Sequence, residues 1–461
     1  MASHNIITFG LEYELKLRLT KSQIQEELSS DSISKNIQVV TDPGQVRLIH
    51  VGPQYLQNSY LNFAFRDSQP RPQRTTLVNK TTGEECEYRG YSTEALKIMQ
   101  KRLQTIPGYQ TTSIYQGKGK QSDFSSARLN LTHDESLNGL TKTAKIATGL
   151  CTPSEADTTD FVGTEIVTAP HTSPEEACDE VQKISAALRS DGLDYHIDDE
   201  CAMHIHVGKQ DGSPFNIKAL QHLAYLVLIY EHEFARWFYP SRRGNNFETK
   251  SNRLEFATEC PSPEPQHAYL CDEAGNITEG SVEAVWNYQP LSDIRKAIFD
   301  DVDSADDPFR AFVKLMGDKG HIVNFSYSAR DITNNQPAAT VEFRQHQGTL
   351  NGDDVLHWAR HCTALVALAQ KYADNNTQHP ITTWEDNIDI EHLWREMKLP
   401  ESTRHFYRQR IQEFDERWPD VYQTPLCEPD MVFDDNVDFS GEESEDSEPS
   451  MTEEEDVQEK C

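Results

Sequence analysis

The sequence predicts an α+β architecture, a β-sheet with helices on one face and charged side chains on the other. Three observations lead there. Residues 6–19 alternate apolar and polar positions, residues 199–208 and 340–349 repeat that alternation, and capped amphipathic helices follow these runs.

In the first run Ile7, Phe9, Leu11, Tyr13, Leu15 and Leu17 share one face, and Thr8, Gly10, Glu12, Glu14 and Lys16 share the other. Residues 21–121 are polar, with one helix. Ser92 or Thr93 can cap it, Ala95, Leu96, Met99 and Leu103 form its stripe, and Pro107-Gly108 ends it. Residues 68–90 read as a surface loop. Residues 128–137 read as a short strand running into a polar turn that holds Asp134 and Ser136, and residues 161–167 form another strand, carrying Glu165. Ser173 as N-cap, Pro174 and Glu176 open a helix through Ala177, Val181, Ile184 and Leu188, with Gly192 as C-cap.

Residues 199–208 follow. Met203, Ile205 and Val207 face the core, so His204 and His206 share the opposite side. Ser213-Pro214 opens a long helix reaching about Tyr239, and the turn after it holds Arg242 and Arg243, whose guanidinium forks suit phosphate or carboxylate. A Pro- and acid-rich insert fills residues 260–287, and residues 322–327 form a strand with Asn324 and Ser326 on one face. In the run at 340–349, Val341 and Phe343 point to the core, with Glu342, Arg344 and His346 opposite. Asp353 or Asp354 starts the next helix, and residues 390–417 are helical.

One domain is expected over residues 1–425, with loop insertions at about 20–125 and 260–290. Residues 426–461 read as an acidic disordered tail, since residues 428–460 hold 15 Asp or Glu against one Lys. The whole chain has 75 acidic and 43 basic residues, a net charge of -32 and a mean hydropathy of -0.68. Its folded part is acidic too, which argues against a nucleic-acid ligand and favours metal ions or cationic partners. No apolar run reaches a membrane span and no signal peptide is visible, so no membrane association is expected. The nine cysteines are scattered without CxxC spacing, which fits a reducing compartment, the cytoplasm by default.

Each polar pair alone reads as a solvated strand face. Recurrence changes the balance: Glu12, Glu14, Glu165, His204, His206, Asn324, Glu342 and Arg344 all fall on strands with an apolar opposite face. Glu12 and Glu14, roughly 7 Å apart by strand rise, repel each other unless a cation intervenes. Such hard oxygen ligands suit Mg²⁺ or Mn²⁺. Two imidazoles two residues apart can reach one ion or one phosphate. A mixed-charge floor of this kind points to a metal–nucleotide site.

Six blocks in order resemble the amidoligase family of the glutamine-synthetase-like carboxylate–amine ligases. They are F-G-L-E-Y-E-L (9–15), D-E-S-L (134–137), T-E-I-V-T-A-P (164–170), C-A-M-H-I-H-V-G (201–208), S-R-R-G-N-N (241–246) and V-E-F-R-Q-H-Q-G-T (341–349). Ala202-Met203 departs from the family's usual Gly-Leu, and Ala169 intervenes between Thr168 and Pro170. The resemblance implies an antiparallel sheet around an ATP and divalent-metal site. It implies Glu12, Glu14 and Glu165 as metal ligands, His204 and His206 on phosphate or metal, and Arg242, Arg243 and Asn324 as further nucleotide contacts. Arg344 would neutralise the transferred phosphate, with Glu342 beside it as a further metal ligand. The implied reaction joins a small-molecule or peptide carboxylate to an amine through an acyl phosphate. Alternatives are a non-catalytic nucleotide-binding descendant, or a metal-dependent amide hydrolase using the H-x-H pair.

Overall fold

The computed structural model describes residues 6–20, 22–23, 26, 64–65, 73–78, 85–88, 92–113, 128–134, 137, 139–190, 193–239, 242, 245–246, 249–250, 252, 291–317, 320–326, 339–376 and 389–417. The acidic tail, the insert at 260–287, Gly192 and Arg243 lie outside the described residues.

The strands are β1 (Ile7–Thr20), β2 (Ala64–Phe65), β3 (Gln73–Val78), β4 (Glu85–Tyr88), β5 (Thr111–Ser113), β6 (Leu129–His133), β7 (Thr159–Thr168), β8 (Asp194–His196), β9 (Ala202–Lys209), β10 (Asn245–Asn246), β11 (Thr249–Lys250), β12 (Val323–Asn324) and β13 (Thr340–Gln347). The helices are α1 (Ser92–Leu103), α2 (Lys142–Ala147), α3 (Pro174–Leu188), α4 (Ile217–Ala235), α5 (Leu291–Arg295, continued by a π-helical turn, Lys296–Asp301), α6 (Pro308–Met316), α7 (Gly352–Asp374), α8 (Ile390–Glu396) and α9 (Glu401–Arg417).

The main sheet runs β12-β13-β9-β1-β7-β6-β5, and β8 also pairs with β1. All its pairings are antiparallel except β5 with β6. The fold is α+β, as the alternating runs predict. β1 is the central strand because its alternation is the longest. Phe9, Leu11, Tyr13, Leu15 and Leu17 are buried in one continuous core with Met203, Ile205, Val207, Val341 and Phe343. Helix α7 covers this face, packing on α3 and α4 and touching β1 and β9. Burying such side chains contributes on the order of 1.5–3 kcal/mol each.

β8 and β9 both pair with the same edge of β1, at Lys16–Arg18 and Ile7–Tyr13 respectively. The loop between them carries Asp198 and Glu200 to the buried Lys16, each 2.6 Å from its Nζ. Lys16 lies on the polar face of β1, and this pairing lets a lysine sit there without solvent.

Several boundaries differ from the sequence reading. The expected loop at 68–90 contains strands, since β2, β3 and β4 form a separate three-stranded antiparallel sheet. Thr75, Thr76, Val78 and Tyr88 are strand formers. Helix α4 starts four residues after Ser213, because Asn216 is its cap and accepts from the Ala219 N–H at 2.7 Å. Arg189 is the C-cap of α3. Asn351, rather than an aspartate, caps α7, and Pro400 separates α8 from α9.

The main correction concerns His346. Phe343 pairs with Ile205 and His346 with Met203, so Arg344 and Gln345 together oppose the single residue His204. The extra residue is a β-bulge, and it inverts side-chain parity beyond it. His346 therefore turns to the helix face, with its ring against Phe238 and Trp358. Burial among these aromatics pushes its imidazole down to about 4.

Candidate active site

Directly opposed residues of an antiparallel pair share a face, so strand register alone assembles the polar floor. Glu12 lies opposite His204 and Gly10 opposite His206. Glu14 lies opposite Glu165, His206 opposite Glu342, and Glu342 opposite Asn324. Five strands thus bring together Glu12, Glu14, Glu165, His204, His206, Glu342 and Asn324, and the bulge adds Arg344.

The side chains form two linked groups. In the first, Glu12 Oε1 is 3.0 Å from His206 Nε2, which is 3.7 Å from Glu342 Oε1. One ligand atom from each of Glu12, His206 and Glu342 lies within 4.8 Å of the others. Arg344 donates to Glu342 Oε1 at 2.7 Å, while Asn324 Nδ2 donates to Glu342 Oε2 at 2.6 Å. The Nε of Arg344 is buried without a hydrogen-bond partner among the described residues. In the second group, Glu14 Oε2 accepts from the Ala202 N–H at 2.7 Å, beside Glu165. His204 joins the groups: its Nδ1 is 3.3 Å from both Glu12 Oε2 and Glu342 Oε1, and its Nε2 is 3.5 Å from Glu14 Oε1.

Electrostatics divide these carboxylates. Burial alone would raise Glu12, yet the imidazoles of His206 and His204 outweigh it and hold the carboxyl well below the ordinary range. Glu165 moves the opposite way. Burial, then the charges of Glu12, Asp134 and Glu14, push it well above. Burial and Asp134 also raise Glu14, against His204, Arg242 and the Ala202 hydrogen bond. Burial would lower His206, but Glu12 and Glu342 raise it to about 9. Carboxylates that burial and mutual repulsion disfavour are stabilised by a shared cation.

Asp134 is the residue the sequence reading left out of its ligand set. It follows β6 in a turn that lies directly on β7. A Cβ on Gly163 would stand 2.5 Å from Leu137 Cβ and 3.0 Å from the Asp134 carbonyl oxygen. The missing side chain at Gly163 lets the turn approach, so the charge of Asp134 bears on both Glu14 and Glu165. Its D-E-S-L motif was the available signal. After Glu165, Ala169 keeps the strand pairing by donating its N–H to the Arg128 carbonyl at 2.8 Å.

Arg242 is buried, donates to the Glu200 carbonyl at 3.0 Å, and exerts its charge on Glu14. Both sides of the Asn324 amide are engaged, since Oδ1 accepts from the Ser326 N–H at 2.8 Å and its hydroxyl at 2.6 Å.

The donor set of Glu12, His206 and Glu342 fits a hard divalent ion: two carboxylate oxygens and one imidazole nitrogen on rigid neighbouring strands. No helix among the described residues is long and apolar enough to cross a membrane.

No curated protein matches the chain. The family model described as "putative amidoligase enzyme" matches residues 6–235, which carry Glu12, Glu14, Asp134, Glu165, His204 and His206. Asn324, Glu342 and Arg344 lie beyond that match and reach the same floor through β12 and β13. The chain belongs to the amidoligase family.

Proposed function

We propose that this protein is an ATP-dependent carboxylate–amine ligase acting on small-molecule or peptide substrates. The observation that carries the reading is Arg344 anchored beside a half-buried carboxylate–imidazole trio: NH1 is fixed on Glu342, while its buried Nε has no hydrogen-bond partner among the described residues. A guanidinium so placed offers donors to an anionic oxygen in a site of low dielectric.

In the first step, a substrate carboxylate oxygen attacks the γ-phosphorus of ATP, the bond to the β–γ bridging oxygen breaks, and ADP leaves. In the second, the amine nitrogen attacks the acyl carbon, the acyl C–O bond breaks, and inorganic phosphate departs as the nitrogen gives up a proton. Arg344 would hold the transferring phosphoryl oxygens. Glu12, His206 and Glu342 would hold one Mg²⁺ or Mn²⁺, and Glu14 with Glu165 and Asp134 a second. Such ions, when bound, neutralise triphosphate charge. The acidic surroundings of the second group suit a cationic amine before it loses its proton.

The test is ADP release from ATP and Mg²⁺ over pooled carboxylates and amines, run beside Arg344→Ala. Amine-dependent ADP formation that the variant loses supports a ligase. Amide hydrolysis without ATP would replace this reading with the hydrolase, and ATP binding without turnover across the pools would favour the non-catalytic descendant.

A further inference from the structure

We propose that Asn324 is a positioning residue that sets the metal preference of the site by allowing Glu342 only one ligating oxygen. The inference rests on the reading of Glu12, His206 and Glu342 as a metal centre. Glu342 is fully buried, and its two carboxylate oxygens have different surroundings. Oε2 turns toward β12 and takes the Asn324 Nδ2 hydrogen bond at 2.6 Å. Oε1 accepts from Arg344 NH1 at 2.7 Å, which leaves its second lone pair toward the imidazoles, 3.3 Å from His204 Nδ1 and 3.7 Å from His206 Nε2.

The Asn324 amide cannot turn its donor away. Its Oδ1 is fixed by two donors from Ser326, the backbone N–H at 2.8 Å and the hydroxyl at 2.6 Å. Flipping the amide would face its oxygen to the Glu342 carboxylate and its NH₂ to the Ser326 N–H. Both contacts would be repulsive in a buried site, where unpaired polar groups are costly. Asn324 is itself completely buried, so water does not compete for these bonds. Glu342 consequently presents Oε1 alone to the ion.

That restriction separates the two common hard cations. Mg²⁺ accepts monodentate carboxylates in a near-octahedral shell of about 2.0–2.1 Å and keeps several waters. Ca²⁺ takes about six to eight oxygens at roughly 2.3–2.6 Å, and bidentate carboxylates help to supply them. With Oε2 committed to Asn324, the centre favours the smaller ion. Removing the amide frees Oε2 to rotate toward the ion, which suits Ca²⁺ and loosens the geometry that Mg²⁺ needs.

The experiment is calorimetric titration of the chelator-treated full-length chain with MgCl₂, MnCl₂ and CaCl₂, comparing wild type, Asn324→Ala, Ser326→Ala and Glu12→Gln. Removing a partner that orients a ligand costs about 10–100-fold in metal affinity. Asn324→Ala should therefore weaken Mg²⁺ and Mn²⁺ binding by that factor while Ca²⁺ changes far less, so the Mg²⁺/Ca²⁺ preference falls about tenfold or more. Ser326→Ala, which only loosens the amide, should shift the preference in the same direction by less, and it carries the test should Asn324→Ala fail to fold. Equal weakening of both ions, or an unchanged preference in folded variants, overturns the proposal while Mg²⁺ binding that Glu12→Gln abolishes keeps the metal centre. Absence of Mg²⁺ and Mn²⁺ binding in wild type overturns both.

Discussion

Replacing Glu12 with Gln keeps the side chain's shape and removes one charge from the trio with His206 and Glu342. At a free Mg²⁺ concentration 100 times Kd, the ion stabilises the wild-type fold by RT ln(101), about 2.7 kcal/mol. At roughly 1–2 °C per kcal/mol for a domain of this size, the melting temperature rises by about 3–5 °C. The Gln oxygen is neutral and the 3.0 Å contact of Glu12 with His206 loses its charge. If this raises Kd about 100-fold, the same Mg²⁺ concentration equals Kd and yields RT ln 2, about 0.4 kcal/mol. The increment then shrinks to less than about 1 °C. Thermal melts with and without Mg²⁺ measure both increments on the same protein. A Glu12→Gln variant that keeps the full wild-type increment would refute the assignment of Glu12 as a ligand, whatever its melting temperature without metal.

Arg344→Ala should lower the rate of ADP formation by about 10²–10³-fold, the usual loss on deleting one oxyanion donor; initial rates at saturating Mg²⁺ check this. Gly163→Ala places a Cβ 2.5 Å from Leu137 Cβ and 2.7 Å from its carbonyl oxygen. It should destabilise the fold by about 1–3 kcal/mol, read from the denaturation midpoint, and weaken metal binding as the Asp134 turn is pushed off β7. His361 is fully buried among aromatic rings, neither nitrogen is hydrogen-bonded among the described residues, and burial lowers it to about 3. Its folded value lies below an unfolded value near 6.5, so its contribution to stability is intact above pH ~6.5 and shrinks as the pH falls toward 3. At pH 5 the loss is about 2 kcal/mol, from roughly 1.5 pH units at 1.36 kcal/mol each. His361→Phe should remove that part of the acid sensitivity, and a stability–pH slope between 7 and 5 no shallower than wild type would contradict the assignment.

Side-chain parity along β1 and β9 was legible from the sequence, because alternation is a local property of an extended backbone. It put Glu12 beside Glu14 and His204 beside His206, and it set Phe9, Leu11 and Tyr13 against the helices. Helix caps such as Ser173 were legible for the same reason, since a cap satisfies donors only three residues away. Tertiary structure alone decided which strands meet and in what register. Only pairing between positions about 190 residues apart puts His204 opposite Glu12. The bulge at Arg344–Gln345 arises from pairing with β9, so alternation along β13 gave no sign that His346 would turn to Trp358. Asp134 reaches the floor through close approach of a turn to Gly163, and Asn324 engages Glu342 through the pairing of β12 with β13. Local periodicity decides which face a residue occupies, and long-range hydrogen bonding decides which residues on that face become neighbours.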